Sequence, residues 1–254
     1  MQRLRLAVRL LIKIQLTMKR VVFTILSIML LSAAAIKVSA QESSVQTRQV
    51  SGFSAIASSG PFNVHIKLDG TESVKVDADS NVINDIETVV EGNTLKIRFK
   101  DRDHGRYEHN VHKAEVYVSA KSLNALVNSG SGSTNVDGVI NADNFKVVLS
   151  GSGSIKTSVK SGDLNATISG SGSIKLNGST GDARIVISGS GQVDGKDLKT
   201  ESANVVITGS GNVYLIAQRS VSAHITGSGN VEYSGNASVV DSRYTGSGRV
   251  NKVD

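Results

Sequence analysis

The chain has 254 residues, with 25 glycines, one proline, no tryptophan and no cysteine. Seven of its 28 basic residues, and none of its 22 acidic ones, lie in residues 1–40, so the formal charge of +6 leaves 21 basic against 22 acidic residues beyond them. A nearly neutral remainder excludes the basic footprint of a nucleic-acid binder, and the missing cysteines exclude a disulfide framework.

In chain order, the first readable element is Met18-Lys19-Arg20, then an apolar run from Val21 to Ile36 and the small-residue tripeptide Val38-Ser39-Ala40 before Gln41. Basic, apolar and small segments in this order predict a secretory signal over residues 1–40, with 1–17 as an upstream extension. The apolar run of 16 residues is shorter than the roughly 20 that span a bilayer. No cysteine stands after the cleavage site to carry a lipid. The expectation is an exported protein of the periplasm, outer-membrane surface or extracellular space, with no transmembrane segment once the signal is removed.

Residues 41–122 predict a β-rich amino-terminal unit. Alternation marks Phe62–Leu68, Ser73–Asp77, Thr94–Lys100 and Ala114–Ser119 as strands. Asp69-Gly70 and Glu91-Gly92-Asn93 predict hairpin turns. Val82–Val90 fits either a short helical turn or an edge strand, and Asp101–Val111 a polar loop. This unit is expected to cap the repeat region and hide its open end.

Residues 123–254 repeat. Gly-Ser-Gly begins at Gly130, Gly151, Gly170, Gly189, Gly209, Gly227 and Gly246, each time after Ser or Thr, at spacings of 21, 19, 19, 20, 18 and 19. Two residues before the first glycine stand Leu149, Ile168, Ile187, Ile207, Ile225 and Tyr244; four after it stand Thr134, Ile155, Ile174, Val193, Val213, Val231 and Val250. Period-two alternation on both sides of a glycine corner predicts strand, turn, strand, with one face buried. One such unit buries too few side chains to offset the ordering of its backbone, so neighbours must stack. The predicted fold is all-β: a right-handed parallel β-solenoid with rungs of about 19 residues, preceded by the β-rich unit. The first copy reads as out of register, because Asn128 takes the apolar position two before Gly130 while Leu123, Ala125 and Val127 alternate one residue away.

Several motifs are candidate sites. Gly-Ser-Gly lacks the Lys-Ser/Thr and helix of a phosphate loop and the βαβ setting of a dinucleotide site. It also lacks the Asp of calcium-binding nonapeptides. The seven glycines are therefore structural turn residues, and no cofactor is expected. His104, His109 and His112 cluster with Asp101, Asp103 and Glu108, but their spacing matches no metal motif, so no metal is assigned. Asp163 and Asp182 occupy equivalent positions in adjacent rungs, as do Lys156 and Lys175, continued by Asp194, Tyr214 and Glu232. Stacked carboxylates admit a polysaccharide-active enzyme as an alternative, but a solvated ladder of mixed charge is the simpler reading and no catalytic residue is assigned. Three residues before the first glycine of successive corners stand Val148, Thr167, Val186, Val206, His224 and Arg243, of which the first four form an outward Val/Thr stripe. Such a stripe is either covered within the chain or a contact face for a glycan or surface protein.

Taken in order, Ser51-Gly-Phe-Ser-Ala-Ile, Phe62-Asn-Val-His-Ile, Val74-Lys-Val-Asp-Ala-Asp, Asn93-Thr-Leu-Lys-Ile, Val116-Tyr-Val-Ser-Ala, Leu123-Asn-Ala-Leu and the run of Ser-Gly-Ser-Gly turns resemble the DUF2807 family, labelled "putative auto-transporter adhesin, head GIN domain". The resemblance spans nearly all of residues 45–252 and implies a β-solenoid, export from a Gram-negative cell and, through its label, adhesion. The repeats, the export signal and the absence of a catalytic constellation lead to the expectation of a non-enzymatic binding module, with a purely structural envelope component as an alternative. The family defines no catalytic residues, so none is carried over. No translocator barrel stands between the last repeat and Asp254, so a complete autotransporter is not expected.

Overall fold

The structure is a computed structural model that describes residues 43–100 and 111–253. About three-quarters of these residues are in strands, which together form one unit. In chain order the strands are β1 (Ser43–Arg48), β2 (Ala55–Ser59), β3 (Asn63–Leu68), β4 (Ser73–Asp79), β5 (Ile86–Glu91), β6 (Thr94–Phe99), β7 (Ala114–Ala120) and β8 (Ala125–Gly130). They continue with β9 (Ser133–Gly151), β10 (Ser154–Gly170), β11 (Ser173–Gly189), β12 (Gln192–Gly209), β13 (Asn212–Gly227), β14 (Asn230–Ser234), β15 (Ser238–Gly246) and β16 (Arg249–Lys252). A 3-10 turn, Ile83–Asp85, precedes β5, so the Val82–Val90 segment is a helical turn and then a strand.

The repeat region is a parallel β-solenoid. Each of β9 to β13 runs from one Gly-Ser-Gly corner to the next and pairs in parallel with the strand one repeat away. The glycines that open the corners align as one column, Gly130 on Gly151, Gly170, Gly189, Gly209, Gly227 and Gly246. Inside, Leu149, Ile168, Ile187, Ile207 and Ile225 stack as one apolar row, and Ile155, Ile174, Val193, Val213 and Val231 as another. In parallel in-register stacking every side chain meets its equivalent one rung away, so these two rows are packed from Leu, Ile and Val.

The corner explains the tripeptide. Gly170 has φ +124°, and a Cβ there would lie 2.5 Å from the Gly151 carbonyl oxygen. A Cβ on Gly172 would lie 2.6 Å from both the Gly153 carbonyl oxygen and Leu149 Cδ2. Both outer residues must therefore lack a side chain. The middle Ser171 is exposed, and its N–H donates to the Gly151 carbonyl at 3.0 Å.

Variation in repeat length is absorbed away from the corner. Where β9 meets β10, Asn135 pairs Lys156 and Val139 pairs Ser158, so Val136, Asp137 and Gly138 face one residue, Thr157. Where β11 meets β12, the step from Lys175 to Asn177 is matched by that from Asp194 to Asp197. These bulges keep the corners and buried rows in register.

The amino-terminal strands are threaded into the same stack. β2 lies between β6 and β8, and β3 between β7 and β9, all in parallel. Gly60-Pro61-Phe62 takes the place of a corner beneath the first Gly-Ser-Gly: a Cβ on Gly130 would lie 2.3 Å from the Gly60 oxygen, and one on Gly132 2.0 Å from the Phe62 oxygen. The antiparallel strands β5 on β6, β4 on β7 and β1 on β4 end the stack on this side. At the other end, among the described residues, β15 pairs only β13 and β16 only β14. Tyr244, aligned with buried Ile225, is 41% exposed there.

Two sequence expectations are corrected. Glu91-Gly92-Asn93 does join an antiparallel pair, but Asp69-Gly70 is no hairpin turn, because β7 lies between β3 and β4. The first copy is also in register. Asn128 pairs Leu149 and is fully buried in the inward row, while Val127 pairs Val148 on the outward side. A polar residue is tolerated at that point because Asn128 Nδ2 donates to the Gly132 carbonyl at 2.9 Å, across its own corner.

Candidate binding face

The strand segments that precede each corner form a sheet whose inner side is the core and whose outer side carries three parallel columns. The middle column is the predicted stripe. Val148, Thr167, Val186 and Val206 are consecutive ladder partners, each half-buried by its own neighbours. The structure lengthens it in the amino-terminal direction through Val127 and Ala57, and it ends at His224 and Arg243. Val127 and Ala57 are hidden from sequence reasoning because Asn128 mimics a register break and Ser59-Gly60 does not look like a corner.

On the corner side of the stripe runs a hydroxyl ladder of Ser59, Ser129, Ser150, Ser169, Ser188, Thr208, Thr226 and Thr245, all exposed. On its other side run Lys146, Asn165, Arg184, Asn204 and Ser222. Among the described residues no element packs over this face. Its spacing is that of adjacent strands, about 4.8 Å, and its surface is apolar along the middle with donors on both flanks. At its far end His224 Nε2 lies 3.0 Å from Asp241 Oδ2. That hydrogen bond, with Arg243 nearby, holds the Asp241 carboxyl below the usual aspartate range.

Asp163 and Asp182 are ladder neighbours, as the spacing predicts. With Asn165, Arg184, Ser202 and Asn204 they line an open groove of about 480 Å³ beside the stripe. Arg219 Nη2 approaches Asp182 Oδ1 at 3.7 Å, both groups being two-thirds exposed. Such an arrangement is a solvated charge ladder with both carboxylates on the same side of the groove. Lys156, Lys175, Asp194, Tyr214 and Glu232 also form one ladder, in which Lys175 meets Asp194 at 3.7 Å. His104 and His109 lie outside the described residues. The backbone N–H of His112 donates to Asp79 Oδ2 at 2.7 Å.

A parallel β-solenoid that meets solvent with long flat ladders belongs to the class of repeat scaffolds that display an extended surface. The chain belongs to the DUF2807 family, described as "Putative auto-transporter adhesin, head GIN domain", whose profile matches residues 52–237. Solved structures share the fold. A putative adhesin from Bacteroides fragilis NCTC 9343 is 21% identical, with a TM-score of 0.77 over 84% of this chain and 98% of that one. A putative lipid binding protein from Parabacteroides distasonis ATCC 8503 is 23% identical, with a TM-score of 0.69 over 85% and 98%. A putative adhesin from Parabacteroides merdae ATCC 43184 is 21% identical, with a TM-score of 0.66 over the same shares. No curated protein matches the sequence. Among the described residues no helix is long and apolar enough to cross a membrane.

Proposed function

We propose that this protein is an exported, non-enzymatic binding module that acts in cell-surface adhesion, with the Val148–Thr167–Val186–Val206 stripe and its hydroxyl ladder as the contact face. The observation that carries the reading is that face: a regular column of half-buried aliphatic groups, flanked by exposed hydroxyls, over which no described element packs. Half-buried aliphatic groups held in a regular array favour a partner that removes their remaining surface from water. The family label and the adhesin relatives support the same direction. In this reading residues 1–40 direct export, residues 41–122 close one end of the solenoid, and residues 123–254 display the face. A glycan or a surface protein is the partner.

The test is an array of glycans and matrix proteins probed with the mature chain and with a Val148→Glu/Val186→Glu/Val206→Glu variant. The reading predicts a ligand at micromolar concentration that the variant loses while its circular dichroism stays that of the folded chain. Its melting temperature should fall by a few degrees, because the replaced side chains are half-buried and Val186 and Val206 are ladder partners. Absence of any ligand, or full retention by the variant, contradicts it.

A further inference from the structure

The outward surface formed by β4, β7, β3, β9 and β10 holds a second feature that the stripe does not use. Here a groove of about 720 Å³ runs across five strands. Its floor carries His65 and Tyr117, ladder partners whose rings stack 5.0 Å apart at 19°. Lys75 Nζ sits 4.7 Å from the centre of the Tyr117 ring, so the ring is held between imidazole and ammonium and presents its edge to solvent. His65 is fixed from behind: its Nε2 lies 2.6 Å from Glu115 Oε2, Asn63 Nδ2 donates to the other oxygen at 2.9 Å, and Ser133 Oγ donates to Asn63 Oδ1 at 2.8 Å. The Glu115 carboxylate is thus engaged by His65 and Asn63 and is not among the residues that line the groove.

Three lysines, Lys67, Lys75 and Lys156, line this groove against one acid, Asp137. Lysines just outside it are paired: Lys113 with Asp77 at 2.8 Å and Lys121 with Glu72 at 2.9 Å. Among the described residues Lys67, Lys75 and Lys156 have no such partner within 4.0 Å. Asp69, the acid next to Lys67, is engaged by the Thr71 N–H and hydroxyl and by Ser119 Oγ. Asp137 is the ladder partner of Lys67 and Asp69 also acts on it electrostatically, so the excess positive charge of the groove is carried chiefly by Lys75 and Lys156, and that excess points to an anionic occupant.

The spacing says what kind. Lys75, Tyr117, His65, Asn135 and Lys156 share one row across the strands, with Lys67 two residues further along β3. The lysines therefore stand on β4, β3 and β10, with one strand between each successive pair. Two strand steps are about 9.5 Å, so along the stack the strand positions that bear the lysines recur at about the span of one disaccharide of a linear polymer, with Lys67 offset along its strand. Between them Ser73, Ser119 and Asn135 offer hydroxyl and amide groups, which suit sugar hydroxyls. The groove has no exposed aliphatic patch to enter a lipid layer, and three cations are few for a nucleic acid backbone.

We propose that this groove binds a linear acidic polysaccharide, with carboxylates on alternate positions meeting Lys75, Lys67 and Lys156 and the Tyr117–His65 edge lining the chain. The proposal rests on the binding-module reading and adds a ligand class on a different face. The experiment is calorimetric titration of the mature protein with hexagalacturonate, trigalacturonate and neutral maltohexaose. Hexagalacturonate should bind, trigalacturonate more weakly because it spans fewer lysines, and maltohexaose not at all. A Lys67→Gln/Lys75→Gln/Lys156→Gln variant should lose affinity roughly tenfold, the sum of three exposed charge contacts, with its thermal melt unchanged. Lys156→Glu alone should weaken binding and make the remainder less sensitive to salt, because fewer charge contacts are left to screen.

No binding at millimolar hexagalacturonate, or equal binding by the triple variant, overturns the proposal. Binding of oligothymidylate or anionic phospholipid vesicles as tight as that of hexagalacturonate overturns it too, as the groove would then be a general anion surface. A periplasmic location would refute adhesion while leaving this site standing. Failed titration beside ligand capture by the stripe would remove only this site.

Discussion

Replacing Gly170 with alanine tests the account of the corner most sharply. At φ +124° an alanine is strained by about 1–3 kcal/mol. Its Cβ would also sit 2.5 Å from the Gly151 carbonyl oxygen, a backbone atom of the neighbouring rung that cannot swing aside as a side chain can. Relieving that overlap separates the rungs where Ser171 N–H and Gly172 N–H both donate to Gly151 at 3.0 Å, a further loss of about 1 kcal/mol for each bond. The expected cost is about 3–5 kcal/mol, or roughly a 10 °C fall in melting temperature for a chain of this size. Ser171→Ala, at the exposed middle of the same corner, should change stability by less than about 0.5 kcal/mol. Urea unfolding monitored by far-ultraviolet circular dichroism compares the two. Equal, small effects would refute the argument that backbone approach dictates the glycines.

Thr134 lies in an inward row continued by Ile155, Ile174 and Val193, and among the described residues its buried hydroxyl has no hydrogen-bond partner; Thr134→Val should therefore raise stability by about 1 kcal/mol in urea titration, and a loss would show a hidden partner. The carboxyls of Asp69, Glu72, Glu91 and Asp241 are held below their ordinary values of 3.8 and 4.5, chiefly by hydrogen bonds from Thr71, Lys121, Lys96 and His224 respectively. Because the folded values are depressed, this stabilisation is present at neutral pH and is lost as pH falls through that range, whereas Lys113, raised by Asp77, loses its share only as pH rises above about 10.5. Thermal melts from pH 7 to pH 3 should decline, and Glu72→Gln should flatten part of that decline. Finally, a panel of polysaccharides should show no depolymerisation by the wild type; cleavage abolished by Asp163→Asn or Asp182→Asn would instead assign an enzyme to that groove.

The solenoid is legible in the sequence because its constraints recur. Every rung repeats the Gly-Ser-Gly approach and the Ile/Val rows, so the alignment of the corners gives strand direction, inward face and the Val148–Val206 stripe without any structure. Features that depend on single or distant contacts are hidden. Gly60-Pro61-Phe62 is a corner only by virtue of the rung that stacks on it. β7 inserts between β3 and β4, although nothing in Asp69-Gly70 announces that the two strands it joins stay apart. Asn128 resembles a register break because the bond that accommodates it, to the Gly132 carbonyl, is a feature of one side chain. The lysine groove is invisible for the same reason: Lys75, Tyr117, His65 and Lys156 come from four strands, brought together by a stacking order that no periodicity encodes.

The central claim, that this solenoid meets its partner outside the cell, is tested most directly by protease treatment of intact cells and subsequent envelope fractionation. The account predicts that the mature chain is found with the outer membrane or in the medium, and that any cell-bound protein is cleaved without lysis. A chain that is protected in intact cells and released only with the periplasmic fraction would contradict it.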